Sequence, residues 1–329
     1  MIQGKPRISV FTASKNGARF LRETVESILN QTFTNYEHIV VDGASSDETT
    51  KILAEYKHIK WISEPDNDAN EGFQKALEMT KGEYVMSCCV SDGYLNRDWF
   101  QMCVDILDND PDVSLVYGLP QYMSEKGLLG AISYAEFLEQ PPPQKIDFFP
   151  FWLATNFLYP EGNYCVRAGV YKNCFPNRNS TDYFDQNNPY LKFVYNFNVQ
   201  GYLPCFLPVV ANYGRVHSDS QSVTMAEVNR VTSDEYVSLI RKYRKEVFLS
   251  KRQHFFRDGS SNVIKTIQAA ELKLAKKEYL KYSINHKSYV GHNYFNLPFW
   301  GKVFEAMFKP GGMGKLSKAL KKKYFSNKH

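Results

Sequence analysis

Arg7-Ile8-Ser9-Val10-Phe11-Thr12-Ala13-Ser14-Lys15-Asn16 and Ile39-Val40-Val41-Asp42-Gly43-Ala44-Ser45-Ser46-Asp47-Glu48-Thr49 are the two stretches that decide the fold. Each is an apolar run that enters a polar turn, the pattern of a strand followed by a loop. Between them Phe20, Leu21, Val25, Ile28 and Leu29 share one stripe, the 3.6-residue period of a helix packed on a sheet. Together they make a βαβ unit. In such units ligands sit beyond the carboxyl ends of the strands, where Ser14, Asn16, Asp42 and Ser45 fall. A carboxylate there accepts hydrogen bonds from ribose hydroxyls or a base N–H, and Gly43 lets the backbone turn sharply beneath a ligand.

Outward from this unit, strand and helix alternate to about Gly118. The pattern predicts strands over 8–12, 37–42, 60–62, 84–88 and 113–117, and helices over 20–30, 48–56, 69–79 and 98–107. Ser45-Ser46-Asp47-Glu48 has the capping-box form that starts a helix. Such alternation predicts a mostly parallel, doubly wound sheet. From Pro120 the texture changes: Pro141-Pro142-Pro143 marks an extended loop, and aromatic residues crowd 148–157. After Ser222 helical periodicity returns in Val228, Val231, Tyr236, Val237, Ile240 and Tyr243, and again over 269–282.

A chain of 329 residues with 43% hydrophobic content can bury a full core. Its six cysteines show no Cys-x-x-Cys spacing and several sit in apolar runs, which predicts free thiols in a reducing cytoplasm and no structural zinc. No apolar run approaches the roughly 18 to 20 residues of a membrane span, and the N-terminus lacks the apolar region of a signal peptide. The net charge of +5 is a property of residues 298–329, where eight lysines face the single acid Glu305. In that tail Phe299, Trp300, Val303, Phe304, Met307 and Phe308 fall on one helical face, ahead of Pro310-Gly311-Gly312 and the lysines. Two readings stay open: the tail lies on an anionic membrane surface, making a cytoplasmic protein peripheral on the inner face, or its aromatic face packs on the rest of the chain. Lysines without an arginine-rich groove or recognition motif count against nucleic acid as a partner.

The combined pattern closely resembles the N-terminal half of the family 2 inverting glycosyltransferases. The likeness is carried by Thr12 to Asn16, Gln31-Thr32, Val41-Asp42-Gly43-Ala44-Ser45-Ser46-Asp47, Glu64-Pro65-Asp66-Asn67-Asp68-Ala69-Asn70-Glu71-Gly72 and Lys81-Gly82-Glu83-Tyr84, up to about residue 118. The resemblance implies a GT-A fold, an α/β Rossmann-like, mostly parallel central sheet flanked by helices, with a helical C-terminal extension. It implies a nucleotide-sugar-binding half over 1–118, an acceptor-binding half over 119–224 and a helical extension with a basic amphipathic tail over 225–329. The implied activity moves a sugar, with inversion, from a nucleotide donor, UDP-linked most often in this family, to a saccharide or lipid-linked glycan acceptor. The setting would be cell-surface polysaccharide or glycoconjugate synthesis.

Departure of a nucleoside diphosphate builds negative charge that a divalent cation or fixed positive groups must stabilise. For this the family commonly places an Asp-x-Asp or Asp-Asp pair after the fourth strand. Here that place reads Val90-Ser91-Asp92-Gly93-Tyr94, so Asp92 matches one carboxylate and Gly93 stands beside it. Mn2+ or Mg2+ also accepts phosphate and water as ligands, so Asp92 with a second protein ligand suffices; a turn or helix-capping aspartate is the other reading. His217 is the implied second ligand, and Arg215, two residues before it on one strand, would face the phosphates. A plain surface histidine is the alternative for His217.

The resemblance places the general base of a single displacement at Asp182, in Ser180-Thr181-Asp182-Tyr183-Phe184-Asp185. Thr181 stands where the family usually has an acid, Asp185 is the weaker candidate base, and Asp182 as a helix cap is the alternative. Thr12, Ala13, Ser14, Asn16, Asp42, Ser45, Asp66, Asn70, Gly72 and Ser91 are the implied nucleotide contacts, Glu161 the implied donor-sugar or acceptor contact, and Lys75 a solvated lysine. Among rival readings, the lack of Gly-x-Gly-x-x-Gly after the first strand counts against a dinucleotide oxidoreductase. The rival from another class is a non-catalytic saccharide-binding or scaffold protein on a degenerate form of the fold, for which Gly93 and Thr181 are the best support.

Overall fold

The structure, a computed structural model, describes residues 4–176, 180, 182–218 and 226–285. Its first elements follow the sequence pattern: β1 (Ile8–Ser14), α1 (Ala18–Leu29), β2 (Tyr36–Asp42), α2 (Thr49–Glu55), β3 (Ile59–Ser63), α3 (Ala69–Glu78) and β4 (Tyr84–Ser87). β1 pairs in parallel with β2 and β4, and β2 with β3, because each connection is a helix that crosses a sheet face. α1 buries Phe20, Leu21, Val25 and Ile28 as its period predicts, together with Thr24. Leu29, expected on that stripe, is 41% exposed.

Past β4 come β5 (Gly93–Tyr94), α4 (Trp99–Asn109), β6 (Val113–Ser124), β7 (Gly127–Ile132), α5 (Phe148–Thr155), β8 (Tyr164–Arg167), α6 (Ala168–Cys174), α7 (Tyr183–Asn187), α8 (Pro189–Val199) and β9 (Leu203–Arg215). The strand order is β3-β2-β1-β4-β8-β6-β9-β5, with β7 on the side of β6. Here direction alternates: β8 runs antiparallel to β4 and β6, β9 parallel to β6, and β5 antiparallel to β9. β6 runs through residue 118, so the two halves expected to divide there share one sheet.

The aromatic run is α5, every residue of which is buried. Trp152 Nε1 donates to Tyr236 Oη at 2.8 Å and that hydroxyl donates to Phe157 O at 3.2 Å, so the indole and phenol are satisfied inside the core. The C-terminal part, which the sequence predicts to be helical, is helical only in part among the described residues. Between α9 (Ala226–Leu249) and α10 (Ala269–Asn285) an antiparallel hairpin, β10 (His254–Arg257) and β11 (Val263–Ile267), intervenes. Aromatic packing fixes it: His254 stacks on Phe149 with ring centroids 3.7 Å apart, and Tyr243 Oη meets His254 Nδ1 at 2.9 Å. All six cysteines are free. Among the described residues no helix is long and apolar enough to cross a membrane. Thr181 and the aromatic, lysine-rich stretch 298–329 lie outside the described residues.

Candidate functional site

The parallel register sets Ser14 beside Asp42 and Asp42 beside Ser63, so three strands end level. Asp42 does not face a ligand as expected. It is fully buried, with Oδ2 accepting from Ser45 N at 3.0 Å and Ser63 Oγ at 2.7 Å, and Oδ1 from Ser45 Oγ. Its carboxylate therefore holds the 43–45 turn, where Ala44 takes a left-handed φ of 54°. Asn16 (φ 52°) and Ser45 serve the same turn: Asn16 Oδ1 accepts from Ser46 N at 2.9 Å, and Ser45 Oγ from Asn16 N at 2.7 Å. The capping box is absent. Instead Asp47 accepts from Thr49 N and from Ala18 N, both at 3.0 Å, and so joins the starts of α2 and α1.

Thr12 also turns inward. It donates to Cys88 O at 2.8 Å and, its proton thus spent, accepts from His38 Nε2 at 3.1 Å. Ser14 differs: its hydroxyl, buried where Gly17 and Val90 close over it, has no hydrogen-bond partner among the described residues. Asp66 lies across Gly43 and Gly72. A Cβ on Gly43 would come within 2.8 Å of Asp66 Oδ1, and one on Gly72 within 3.0 Å of Oδ2 and 3.5 Å of the Ala13 Cβ, so both glycines are needed for that carboxylate to fit. Its partner Lys15, 3.2 Å away, is 56% exposed. Lys75, expected to be solvated, is instead 16% exposed between Glu64 and Glu71, each 2.9 Å away.

The second cluster is the turn after β4. Thr24 Oγ1 donates to Asp92 O at 2.7 Å and accepts from Ser91 N at 3.2 Å, pinning the turn to α1 while Ser91 holds a φ of 86°. Gly93 stands where the family pattern has a carboxylate because a Cβ there would lie 2.6 Å from Ser27 Oγ and 2.7 Å from Tyr213 Cζ. Arg215 is not turned to a phosphate, contrary to the sequence expectation. Its Nε donates to Ser91 O at 3.1 Å, Nη1 to Ser124 O at 3.2 Å and Nη2 to Glu23, over the Phe20 ring at 4.6 Å. The Arg215 amide donates to Asp92 Oδ1 at 2.9 Å. His217 is buried, not a surface residue; its Nε2 lies 3.3 Å from Ser91 Oγ and its ring packs on Phe20.

Burial raises the Asp92 carboxyl to about 7; the Arg215 amide and charge oppose the shift, and neighbouring Glu161 adds to it. Glu161 is itself raised to about 7 by its surroundings, although water still reaches the side chain, so no stability is assigned to that shift. Asp92 and Glu161 thus lie near each other at this turn, with the Arg215 charge close to Asp92. No group of three or more His, Cys, Asp or Glu placed to hold a metal occurs among the described residues. A hard cation would accordingly take Asp92 as one ligand and draw the rest from phosphate and water.

On the acceptor side, Asp182 is exposed and starts α7, with Oδ1 accepting from Asp185 N at 3.2 Å. Asp185 is committed to Ser180 Oγ at 2.7 Å and Lys192 at 2.8 Å. Asn70 does not stand free for a base: its Nδ2 donates to Gln186 O at 2.6 Å, tying α3 to α7. The structure brings Ala13, Gly43, Asp66 and Gly72 together at the strand ends, sets the Ser14 hydroxyl beside Gly17 and Val90 instead, gathers Ser91, Asp92, His217 and Glu161 at the next turn, and gives Thr12, Asn16, Asp42, Ser45 and Arg215 hydrogen-bond partners within the chain. Sequence reasoning missed Glu23, Thr24 and Ser27. Thr24 carried a signal, a polar residue on the apolar stripe of α1.

A family model described as glycosyl transferase family 2 matches residues 9–158. Chondroitin synthase of Escherichia coli is 27% identical over 133 residues, 39% of this chain and 19% of its own, so the chain spans a small part of that relative. An uncharacterized glycosyltransferase of Haemophilus influenzae is 25% identical over 309 residues, 85% of this chain and 90% of its own. Among solved structures, the mannosyltransferase PcManGT of Pyrobaculum calidifontis, in complex with GDP-Man and Mn2+, is similar with a TM-score of 0.52 at 16% identity, over 94% of this chain and 82% of its own.

Proposed function

Since the chain belongs to glycosyltransferase family 2 and carries the GT-A fold, we propose that it transfers a sugar, with inversion, from a UDP-sugar to a saccharide or lipid-linked glycan acceptor in cell-surface polysaccharide synthesis. The nucleotide lies over the ends of β1 to β3, where Asp66 meets it. Asp66 is the carboxylate suited to a ribose or base N–H, because its partner Lys15 is a solvated lysine that a ligand displaces at little cost. Asp92 points the diphosphate, with Mn2+ or Mg2+, toward the turn after β4. The cation, when bound, offsets the charge that develops on the leaving diphosphate. Glu161 borders the donor sugar. Asp182 accepts the proton of the acceptor hydroxyl as its oxygen bonds to the anomeric carbon and the bond from that carbon to the diphosphate breaks.

The observation that supports this reading best is the Asn70–Gln186 bond, which sets the helix headed by Asp182 against the nucleotide-binding half. A thermal-shift panel of nucleoside diphosphates and nucleotide sugars tests donor binding, since a specific ligand raises the midpoint with its affinity. Donor hydrolysis with and without Mn2+ tests chemistry. UDP-dependent stabilisation with no hydrolysis or transfer to any acceptor would favour a binding protein, the role Gly93 leaves open.

A further inference from the structure

Phe20, Glu23, Thr24 and Ser27 follow one another on α1 at i, i+3, i+4 and i+7, so one helical face meets the turn after β4. Thr24 holds the turn's backbone from below, and Arg215 holds it from the side, its guanidinium donating to Ser91 O and its backbone amide to the Asp92 carboxylate. Arg215 in turn is anchored by Glu23 and by the Phe20 ring. We infer that Glu23 and Arg215 form a positioning pair that fixes the turn bearing Asp92 and so keeps the Arg215 amide on the Asp92 carboxylate, the guanidinium acting through that turn and not on the donor's phosphates. What Asp92 does rests on the glycosyltransferase reading; the pairing itself does not.

The geometry favours this over a phosphate contact. The Arg215 side chain is 3% exposed and Glu23 is 55% exposed, so the arginine is built into the interior and its partner closes the outside. To reach a phosphate the guanidinium would leave the carbonyls of Ser91 and Ser124 unpaired and abandon the Glu23 carboxylate. Each orphaned carbonyl carries its full desolvation penalty. The planar fork is what lets one side chain bond in three directions at once, which an ammonium on a flexible stem does not reproduce.

Two measurements on the intact chain test the pair. Hydrogen exchange of the ligand-free protein should be faster at the Ser91 and Arg215 amides in Glu23→Gln than in the wild type, with β1 and β2 unchanged; equal protection overturns the inference. Calorimetry with UDP should find Arg215→Lys about tenfold weaker than wild type in the presence of Mn2+, the loss typical when a residue orienting a metal ligand is removed, and unchanged in its absence. An equal loss with and without Mn2+ would place Arg215 on the phosphates and overturn it as well. If Arg215→Lys does not fold, Glu23→Gln carries the same calorimetric comparison. Wild-type protein that binds no nucleoside diphosphate would refute the glycosyltransferase reading while the exchange result still decides the pair.

Discussion

Asn70 Nδ2 donates to the backbone carbonyl of Gln186 at 2.6 Å, and this contact between residues 116 apart ties the start of α3 to α7. One hydrogen bond of this kind contributes roughly 0.5–1.5 kcal/mol, small for stability but large for the placement of a helix of five residues. Asn70→Ala should lower turnover and raise the KM for acceptor while UDP affinity changes by less than about threefold, under 1 kcal/mol. A tenfold loss of UDP affinity would instead make Asn70 a nucleotide ligand.

Asp182→Asn should abolish transfer and leave UDP binding nearly intact, because the amide keeps the cap on the Asp185 N–H but cannot take a proton. Turnover and calorimetry on the same preparation check this. Near-normal transfer would move the base elsewhere, and Asp185, held by Lys192, is poorly placed to replace it.

Asp42 and Asp66 should separate stability from binding. Asp42→Ala removes the buried carboxylate that holds the half-buried Ser45 and the exposed Ser63, at roughly 0.5–1.5 kcal/mol for each hydrogen bond lost, since water can reach the freed donors. Urea denaturation should register the loss. Asp66→Ala should weaken UDP more than it shifts the urea midpoint, since the group it strands is the exposed Lys15. The reverse pattern would exchange the two roles.

Restoring the second carboxylate of the family pattern should harm this protein. Gly93→Asp drives a side chain into Ser27 and Tyr213, and such overpacking costs typically about 1–3 kcal/mol. The variant's melting temperature should drop without any gain in Mn2+-dependent UDP affinity. A stable variant that binds UDP more tightly with Mn2+ would contradict the packing at this turn.

Acid should unfold the protein through two histidines. Burial lowers both His38 and His254 from 6.5 to about 3, with nearby positive charge, His58 for the first and Arg257 for the second, adding to the effect. Below about pH 6.5 the unfolded chain binds protons that these folded sites refuse, so stability is complete above that pH and is lost progressively between about 6.5 and 3, each site approaching a slope of about 1.4 kcal/mol per pH unit. Asp92, raised to about 7, binds its proton first in the folded chain and opposes this slope from about pH 7 downward, so the histidine contribution is read as the difference between wild type and variant in thermal midpoints from about pH 7.5 to 5. His254→Phe, which keeps a ring against Phe149, should fall less steeply; an identical slope would remove His254 from the account.

The sequence by itself determined the βαβ frame, the level of the strand ends and the buried stripe of α1, because period and turn chemistry are set by neighbours within a few residues. It also fixed that residue 93 lacks a carboxylate. Only the tertiary structure decided that Asp42 spends its charge inside, through Ser63 21 residues away, and that Arg215 turns to Glu23, 192 residues away. The hairpin between α9 and α10 escaped sequence reading for the same reason: its place is set by His254 on Phe149, not by alternation along its strands. A carboxylate or guanidinium is equally competent for ligand and scaffold. What distinguishes the two roles is which donors and acceptors meet it in the folded chain, and those come from distant segments that local pattern does not encode.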